Sequence, residues 1–472
     1  MFPSRPIDSA FIENLVNHLG PEALRNFEAP GLGLALIIDG EISSFAFGVA
    51  DTSTGEKLKP DTTWAIGSPT KAFTALAMAI LVEENGLNWD TANSNIAGDL
   101  CVSGTDTAVT LRDILSHQAG FGWHDPLWYD SPWTRVQVIQ KSWEAGPQHK
   151  PRSCFQYCNV MYMLAGEIIA RLAGMSYEAF VRRRIWEPLG LTSAHFCGDP
   201  ALASMFVTSH IRTGGQVHPI APVDVTKANP ACGLRMNARD LATWLSYFGK
   251  RNSDIIPRRT FDAIVTPQVE IGPHEGSRFY KLFGQPDYLQ YGFGWFLRRF
   301  RGHRLLFHTG RLPGVCTHVA LLPDLGFGIV ALTNLSYTCL ADAMTLTILE
   351  RFVGGPQTDW MSYYLGVSKE LEVAASAPAK PLGGSDCAWP FPRGEDWISY
   401  LHHAYGALRV RRLPGSIEFA WANYRGNLSH QKGSSYALLN LRSPLLCDGE
   451  MVEFQADGEA VVFLGRRFRR EI

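Results

Sequence analysis

The sequence predicts an α+β fold, in which one antiparallel sheet is built from both termini of a core with an inserted helical subdomain, followed by a small all-β barrel. Apolar residues alternate with a period of two on both sides of a mainly helical block that runs from about 64 to 248. These strand-like stretches are 33–38, 42–49, 304–307, 317–322 and 328–333. Between 405 and 468, short alternating runs separated by turn residues predict a barrel or a sandwich.

Helix and turn signals predict the elements that frame this sheet. An amphipathic pattern over 7–19 predicts a helix that stops at Gly20-Pro21. Asp39-Gly40 predicts the hairpin between the first two strands. Residues 338–352 follow the last strand of the core and are predicted to form its closing helix.

Composition places a boundary between two folded parts. The chain has 472 residues, of which 46% are hydrophobic and 19% charged, so it can bury a large core. The segment 366–392 is rich in Ala, Pro, Ser and Gly and is predicted to be a linker. The predicted domains are therefore 1–365 and 393–472.

The charge balance of the chain argues against two classes of binding partner. Formal net charge is −2, from 43 Lys and Arg against 45 Asp and Glu. A charge of this size attracts neither nucleic acid nor an anionic membrane, so we expect no nucleic-acid partner and no membrane partner. No apolar run is long enough to span a bilayer, and the first twenty residues lack the pattern of a signal peptide. We expect a cytoplasmic protein that acts on a small molecule, in an oligomeric state that the sequence leaves open.

The cysteines indicate neither a disulfide framework nor a cofactor. There are nine, an odd number, scattered among apolar residues. Cys154 and Cys158 have the spacing of a metal-binding pair, but no second pair follows at zinc spacing. We therefore expect free core thiols, no metal and no cofactor.

Ser68 and Lys71 begin a helix that the pattern extends to about Glu84. Its side chains are apolar nearly all round, so the helix is predicted to be buried, where a lysine is costly without a partner or a task. Residues three apart share a helix face, and a lysine amine held out of water can take the proton of a neighbouring hydroxyl. Pro69 suits the first helical position, which makes Ser68 the predicted N-cap. The alternative is an ordinary capping serine, because S-x-x-K is common by chance.

Two further segments carry polar residues at the ends of predicted elements. Tyr157 and Asn159 precede a helix predicted over 160–173, where the alternative is a core aromatic residue and a helix cap. His308 and Gly310 end a predicted strand, where the alternative is a strand-end histidine and a β-bulge. Neither segment alone distinguishes catalysis from structure.

Together and in this order, the three segments resemble the signature of the penicillin-recognising serine enzymes, S-x-x-K, Y-x-N and then H-T-G on a strand. The Tyr and His variants resemble the branch that holds class C β-lactamases, D,D-carboxypeptidases, D-aminopeptidases, esterases and some acyltransferases. Other segments match the same branch, at 109–120, 187–191, 232–234, 240–242 and 291–295. The resemblance covers about 10–355 and implies a β-lactamase/transpeptidase-like fold for the first domain.

The resemblance also implies a role for each motif residue. Ser68 would be the acylated nucleophile, and Lys71 would help to remove its proton. Tyr157 would pass the proton to the leaving group and then activate an incoming water or alcohol. Asn159 would hydrogen-bond Lys71 and the amide of the substrate, and His308 would lie across the cleft near Tyr157.

The strand motif is expected to bind the substrate. Backbone N–H groups of Ser68 and Arg311 would form the oxyanion hole, with Thr309 and Gly310 in the same substrate-binding strand. His308 replaces the lysine that recognises the carboxylate of β-lactams, which weakens a β-lactamase interpretation. The Arg311 side chain could bind a substrate carboxylate or narrow the cleft, and the sequence leaves both open.

Outside the motifs, two regions bear on substrate choice. The C-terminal region, 393–472, resembles the lipocalin-like domain that follows many relatives of the serine hydrolase domain. A loop containing Trp123, Trp128 and Trp133 would suit an aromatic or apolar ligand, or would simply anchor itself.

The sequence thus supports a serine hydrolase that cleaves an ester or amide of a small molecule or D-amino-acid peptide through an acyl-Ser68 intermediate. An acyltransferase that tailors a natural product on the same site is the first alternative. A non-catalytic binding protein on the same fold is the second.

Overall fold

The computed structural model describes most of the chain. The described residues are 9–100, 108–122, 124–129, 131–200, 206–250, 255–273, 277–354, 357–376, 394–413, 416–432, 435–439, 451–455, 459–464 and 466–471. Trp123 and three of the nine cysteines, Cys101, Cys387 and Cys447, lie outside these ranges.

Helices and strands alternate along the first 376 residues, and strands follow after them. The helices are α1 Ser9–Phe27, α2 Thr70–Glu84, α3 Ser94–Ala97, α4 Leu111–Leu115, α5 Arg135–Ala145, α6 Asn159–Ala173, α7 Tyr177–Val181, α8 Glu187–Leu189, α9 Asn229–Cys232, α10 Ala238–Lys250, α11 Arg258–Val265, α12 Ser277–Leu282, α13 Leu340–Val353 and α14 Trp360–Ser376. The strands before α13 are β1 Gly31–Ile38, β2 Glu41–Gly48, β3 Trp64–Ala65, β4 His195–Phe196, β5 Ser209–Thr213, β6 Gln216–Ile220, β7 Leu234–Met236, β8 Val269–Ile271, β9 Leu289–Tyr291, β10 Phe296–Phe300, β11 His303–Leu312, β12 Val315–Leu322 and β13 Phe327–Thr333. In the part of the chain that the structure describes, no helix combines the length and apolar character needed to cross a bilayer.

An eight-stranded antiparallel sheet forms the centre of the first part of the chain. Its strand order is β2-β1-β13-β12-β11-β10-β9-β8. The first strand therefore pairs with the last, in the register Leu34 opposite Ala331. Helices α1 and α13 pack on one face of the sheet and α10 on the other. The predicted α+β class and the sheet built from both ends of the core are confirmed.

The first helix does not stop where the sequence predicts. It continues through Gly20 and Pro21 to Phe27. A Cβ at Gly20 would lie 2.5 Å from the ring of Phe47, so the glycine allows close packing against β2 and does not end the helix. Pro21 removes one helical hydrogen bond, but the last turns still bury Ala23 and Phe27. Burial in the core therefore outweighs the local helix-breaking tendency.

The inserted block between β2 and β8 is mainly helical, as predicted. The hydrophobic helix α2 lies at its centre and packs against α6, α9 and α11. All residues of α2 from Thr70 to Val82 are buried. The block also contains two small sheets that the sequence analysis did not predict, β3-β7-β4 and the hairpin β5-β6. Their strands are short, so they give little periodic signal.

The helix α14 occupies part of the segment that we predicted to be a linker. It runs to Ser376, so 366–376 is helical. Trp360 and Tyr364 on its first turns are buried and belong to the core of the main sheet. The rest of the predicted linker, from 377, lies outside the described residues. The domain boundaries 1–365 and 393–472 stay predictions.

The C-terminal part is a closed antiparallel barrel in which each strand pairs with the next along the chain. This up-and-down order is the architecture of lipocalin barrels, whereas closer kinship with lipocalins stays a prediction. The barrel strands are β14 Gly394–His402, β15 Gly406–Leu413, β16 Ser416–Trp421, β17 Tyr424–Lys432, β18 Ser435–Leu439, β19 Met451–Phe454, β20 Ala460–Phe463 and β21 Arg466–Arg470.

A segment from the middle of the chain, His124–Gly146, belongs to the same compact unit as the barrel. It contains α5 and two of the three loop tryptophans, Trp128 and Trp133. Trp133 contacts Trp421, with ring centroids 6.4 Å apart. The hydrogen bonds that join the segment to the barrel are Tyr424 Oη to Tyr129 O (2.6 Å), His124 Nδ1 to Tyr405 Oη (2.6 Å), His403 Nε2 to Glu144 O (2.8 Å) and Lys141 Nζ to Ala404 O (3.3 Å). These contacts favour the interpretation that the tryptophans anchor the loop.

Removing the residues after Pro381 is therefore expected to expose the 124–146 segment. Trp133 and the Tyr129 backbone would lose Trp421 and Tyr424, the barrel residues that they contact in the full chain. The truncated protein should bind more of an apolar dye such as ANS and should be less soluble than the full chain.

A second truncation provides the control, with 124–146 replaced by a short Gly-Ser linker. The linker can bridge the gap because Gln148 N–H donates to Gly120 O at 2.9 Å. This variant should stay soluble and bind little dye. Equal dye binding by the two truncated proteins would contradict the prediction.

Candidate active site

Ser68 and Lys71 lie where the loop after β3 turns into α2. The helix begins at Thr70, so Pro69 occupies the N-cap and the prediction of Ser68 as the N-cap is wrong by one residue. The chain already turns at Ser68, because Thr70 N–H donates to Gly67 O (3.0 Å) and Lys71 N–H to Ser68 O (2.9 Å). Ser68 remains partly exposed, whereas Lys71 is fully buried.

The Lys71 amine has three hydrogen-bond acceptors around it. Its Nζ lies 3.1 Å from Ser68 Oγ, 2.7 Å from Asn159 Oδ1 and 3.0 Å from Ala231 O. Among the described residues, no carboxylate lies within ion-pair distance of this Nζ. Two acceptors fixed by α6 and α9 therefore orient the amine, and its third direction points at the serine hydroxyl. In this position a neutral amine could take the proton of the serine hydroxyl.

Tyr157 lies directly before α6 and contacts the same amine from another side. Lys71 Nζ is 4.8 Å from the centroid of the Tyr157 ring. The ring is parallel to Phe296, at 6.4 Å, and tilted against Phe279, at 5.8 Å. The helix α6 begins at Asn159 and ends at Gly174, which has the left-handed φ of 63° that favours glycine. Tyr157 and Asn159 thus both contact Lys71, because both lie at the start of the same helix.

The cysteines beside Tyr157 are free thiols. Cys158 is buried and Cys154 is partly exposed. Cys197, Cys232, Cys316 and Cys339 are also free.

His308 lies on β11 with both ring nitrogens held by protein groups. Nδ1 donates to Thr309 O at 2.8 Å, and Nε2 accepts from the Tyr291 hydroxyl at 3.3 Å. Burial, together with the charge of Lys71, lowers the pKa of His308 to about 3. The imidazole is therefore neutral at physiological pH. Its centroid is 6.4 Å from that of Tyr157, as expected for a residue across the cleft.

Two glycines let β11 run directly beside the serine loop. A Cβ at Gly310 would lie 2.0 Å from Ile66 O, and a Cβ at Gly67 would lie 3.3 Å from Arg311 N. Gly67 also has a φ of +64°. The close approach brings the backbone N–H of Arg311 next to the loop that carries Ser68, where an oxyanion hole requires it. Thr309 is partly exposed between His308 and Gly310.

The Arg311 side chain is bound to the protein itself. Its guanidinium donates to Asp342 Oδ2 at 2.7 Å and to Thr338 O at 2.9 Å. Asp342 on α13 also accepts from His318 Nδ1, at 2.8 Å. Burial alone would raise the pKa of Asp342, but the Arg311 charge and the His318 hydrogen bond hold it below its ordinary value of 3.8. These contacts give the guanidinium a counter-ion and hydrogen-bond acceptors within the protein, without a substrate carboxylate.

Replacing Asp342 with asparagine is expected to lower stability by about 3 kcal/mol, because it leaves a largely buried guanidinium without its counter-ion. The Arg311 side chain is 28% exposed and that of Asp342 is 2% exposed, so solvent cannot fully replace the carboxylate. The thermal unfolding midpoint should fall by several degrees at neutral pH. As the pKa of Asp342 is lowered in the folded state, its contribution is present above 3.8 and is lost as the pH falls through the folded value.

The exposed pair of Arg259 and Glu83 provides the control. The Arg259 side chain is 81% exposed, so Arg259→Ala should cost less than about 1 kcal/mol. Equal midpoint shifts for the two variants would contradict the assignment.

Some groups at the site could not be predicted from the sequence. The carbonyl of Ala231 binds Lys71, yet any residue supplies a carbonyl, so only the fold identifies this one. Asp342 is an ordinary residue in the sequence, and its partner Arg311 is found only from the fold. Tyr291 begins a segment that matched the family, but its hydrogen bond to His308 could not be foreseen. His117 lies inside a segment that matched the family, but its contact with Tyr157 (ring centroids 4.3 Å apart) could not be foreseen.

Comparisons with known proteins identify a matching family and similar folds. The sequence model of the family described as Beta-lactamase matches residues 22–350. A curated relative, "Unguisins hydrolase ungD'" from Aspergillus campestris, is 26% identical over 431 residues, which cover 86% of this chain and 78% of the relative. The solved penicillin-binding protein homologue from Pyrococcus abyssi has a TM-score of 0.65 at 20% identity, over 98% of this chain and 100% of that one. A D-amino acid amidase from Ochrobactrum anthropi has a TM-score of 0.60 at 21% identity, over 77% and 96% of the two chains.

Proposed function

The chain belongs to the Beta-lactamase family, and on this premise we propose that it is a serine hydrolase that cleaves an ester or amide through an acyl-Ser68 intermediate. The observation that carries the proposal is the position of the Lys71 amine. It lies 3.1 Å from Ser68 Oγ, and Asn159 and Ala231 fix its direction. A lysine that served no reaction at the serine would not need two protein acceptors to orient its amine toward the hydroxyl.

In the acylation step, Ser68 Oγ attacks the carbonyl carbon of the substrate and gives its proton to the Lys71–Tyr157 pair. The backbone N–H groups of Ser68 and Arg311 bind the negative oxygen of the tetrahedral intermediate. The carbon–oxygen or carbon–nitrogen bond then breaks, and the leaving group receives the proton through Tyr157. The Lys71 amine lies against the Tyr157 ring, so we assign the role of base to the pair.

Deacylation repeats these steps with water as the nucleophile. Water gives one proton to the Lys71–Tyr157 pair and attacks the acyl carbon, and the proton returns to Ser68 Oγ as the ester bond breaks. His308 is neutral, so it contributes hydrogen bonding and shape near Tyr157 and no positive charge.

We propose small molecules and D-amino-acid peptides as the substrate class. The unguisins hydrolase, at 26% identity over most of the chain, supports hydrolysis, and the D-amino acid amidase on the same fold supports amides among the bonds cleaved. Transfer of the acyl group to an alcohol or amine shares the acylation step and differs only in the second nucleophile. The products formed with an added alcohol distinguish transfer from hydrolysis.

Acyl-enzyme trapping tests the proposal. The protein is mixed with chromogenic esters of increasing acyl length, D-amino-acid anilides and a cephalosporin, and its intact mass is measured during turnover. We expect release of the chromophore and a mass increase of one acyl group, which peptide mapping places on Ser68. Turnover with the acyl group on another residue, or no turnover of the whole panel, would contradict the proposal.

Hydrolysis of β-lactams is expected to be weak. The strand motif contains two residues that could carry a positive charge, His308 and Arg311. His308 is neutral, and the Arg311 guanidinium is paired with Asp342. Neither is free to hold the carboxylate of a β-lactam. The kcat/KM for nitrocefin should therefore lie well below the ~10⁴ M⁻¹s⁻¹ at the lower end of ordinary enzymes.

The methyl ester of nitrocefin provides the control, because it lacks the negative charge. We expect this neutral ester to react no more slowly than nitrocefin itself. Efficient nitrocefin turnover that is lost in the methyl ester would show that the site does bind the carboxylate.

A further inference from the structure

His117 is a buried residue that the proposed mechanism does not use. It follows α4 in a turn and is fully buried. Its φ of +60° places it in the left-handed region, which is uncommon outside glycine and in which histidine is enriched together with asparagine and aspartate. A fully buried polar side chain calls for a physical reason.

The hydrogen bonds of His117 hold the two residues on either side of Tyr157. Its backbone carbonyl accepts from Gln156 N–H at 2.8 Å, and its Nδ1 accepts from Cys158 N–H at 3.1 Å. One residue therefore holds the backbone on both sides of the tyrosine. The imidazole itself lies against the Tyr157 ring, with centroids 4.3 Å apart and planes tilted by 38°.

The imidazole is held in one tautomer. Because Nδ1 accepts a hydrogen bond, the ring proton is on Nε2. Burial, and after it the charge of Lys71, lowers the pKa of His117 well below its ordinary value of 6.5. The ring thus stays neutral, and Nδ1 keeps the lone pair that the Cys158 amide needs. Phe155, Tyr162 and Tyr291 surround the ring at centroid distances of 5.6, 5.2 and 5.0 Å.

From this geometry we infer that His117 is a positioning residue that fixes Tyr157 against the Ser68–Lys71 pair for proton transfer. The inference rests on the proposed function for its consequence, since Tyr157 is the residue that serves the leaving group. His117 touches Tyr157 through its ring and holds the residues on either side of it through two hydrogen bonds, so it acts through the tyrosine. Displacement of a proton-transfer group by even 1 Å can cost about 10²-fold in rate.

Two substitutions separate the acceptor of His117 from its ring. In His117→Asn, the amide oxygen takes the place of Nδ1, and asparagine tolerates the left-handed conformation. In His117→Phe, the ring remains but the Cys158 amide loses its acceptor. We expect His117→Phe to lower kcat for an ester substrate by about 10–100-fold with KM within about threefold. His117→Asn should recover most of this loss.

Amide hydrogen exchange over 155–158 gives a readout that needs no substrate. Exchange should be faster than in the native protein in His117→Phe and close to native in His117→Asn. His210→Phe is the matched control, because His210 is also fully buried and holds backbone groups, Thr52 N–H at 3.2 Å and Asn334 O at 3.1 Å. It should lower the thermal midpoint without slowing kcat or changing exchange over 155–158.

The outcomes separate the two proposals. Native-like exchange and kcat in His117→Phe, or an equal loss in His117→Asn and His117→Phe, would overturn the role of His117. If exchange changes as expected but the native protein hydrolyses nothing in the panel, His117 does position Tyr157 and the proposed hydrolase function fails.

Discussion

Replacement of Ser68 by alanine is expected to reduce turnover by about 10⁴-fold or more and to abolish labelling by a fluorophosphonate probe. Ser68 is the partly exposed hydroxyl at the start of a buried helix, and its Oγ faces the Lys71 amine at 3.1 Å. Without that oxygen no acyl-enzyme can form, whereas the oxyanion donors and the substrate cleft remain. Intact-protein mass after exposure to the probe measures the labelling, and chromophore release measures the turnover.

Ser176→Ala is the matched control for a serine at the start of a helix. Ser176 caps α7 and accepts from Ala179 N–H at 3.2 Å. Its loss should cost about 1 kcal/mol of stability and leave labelling intact. Labelling that persists in Ser68→Ala would refute the mechanism even though the fold is that of the family.

Lys71→Ala and Tyr157→Phe should each lower kcat by about 10²–10⁴-fold. The double variant should be little worse than the poorer single variant, because both residues serve one proton-transfer step and the loss of either already disables it. The contact between them, 4.8 Å from Nζ to the ring centroid, places them close enough to act together. Steady-state kinetics on one ester, measured for the native protein, both single variants and the double variant, complete this double-mutant cycle.

A substitution that keeps the charge tests whether Lys71 acts as a base. Lys71→Arg retains a cation but, because guanidinium does not give up its proton, cannot accept one from Ser68. It should be as slow as Lys71→Ala. Lys281→Ala, at an exposed pair with Glu370, should have native activity. Losses that multiply in the Lys71→Ala, Tyr157→Phe double variant would show that the two residues act in separate steps.

The sequence predicts those features that depend on local pattern. The helix after Ser68 could be predicted to be buried because its residues are apolar all round, and α2 is buried from Thr70 to Val82. Alternating residues predicted β1, β2, β12 and β13 to within two residues at each end. The order of the three motifs predicted the family, and through it the pairing of Lys71 with Ser68 and Asn159.

Features that depend on distant contacts could not be predicted in this way. Gly20-Pro21 indicates a helix end locally, and only the packing of Gly20 against Phe47 shows why α1 continues. Asp342 lies 31 residues from Arg311 along the chain and meets it because α13 packs on the sheet. His117 supports Tyr157 from 40 residues away, and nothing in its immediate neighbours marks it for that contact.

The packing of 124–146 with the C-terminal barrel has a consequence for biosynthesis. About 250 residues separate the end of this segment from the first barrel strand. At ribosomal rates of about 5–20 residues per second, the segment emerges roughly 12–50 s before its partner strands exist. During that interval Trp133 and the Tyr129 backbone lack Trp421 and Tyr424, the barrel residues that they contact in the folded chain. We therefore expect the nascent chain to expose apolar surface of this segment until translation nears its end, and a prematurely terminated chain to expose it permanently.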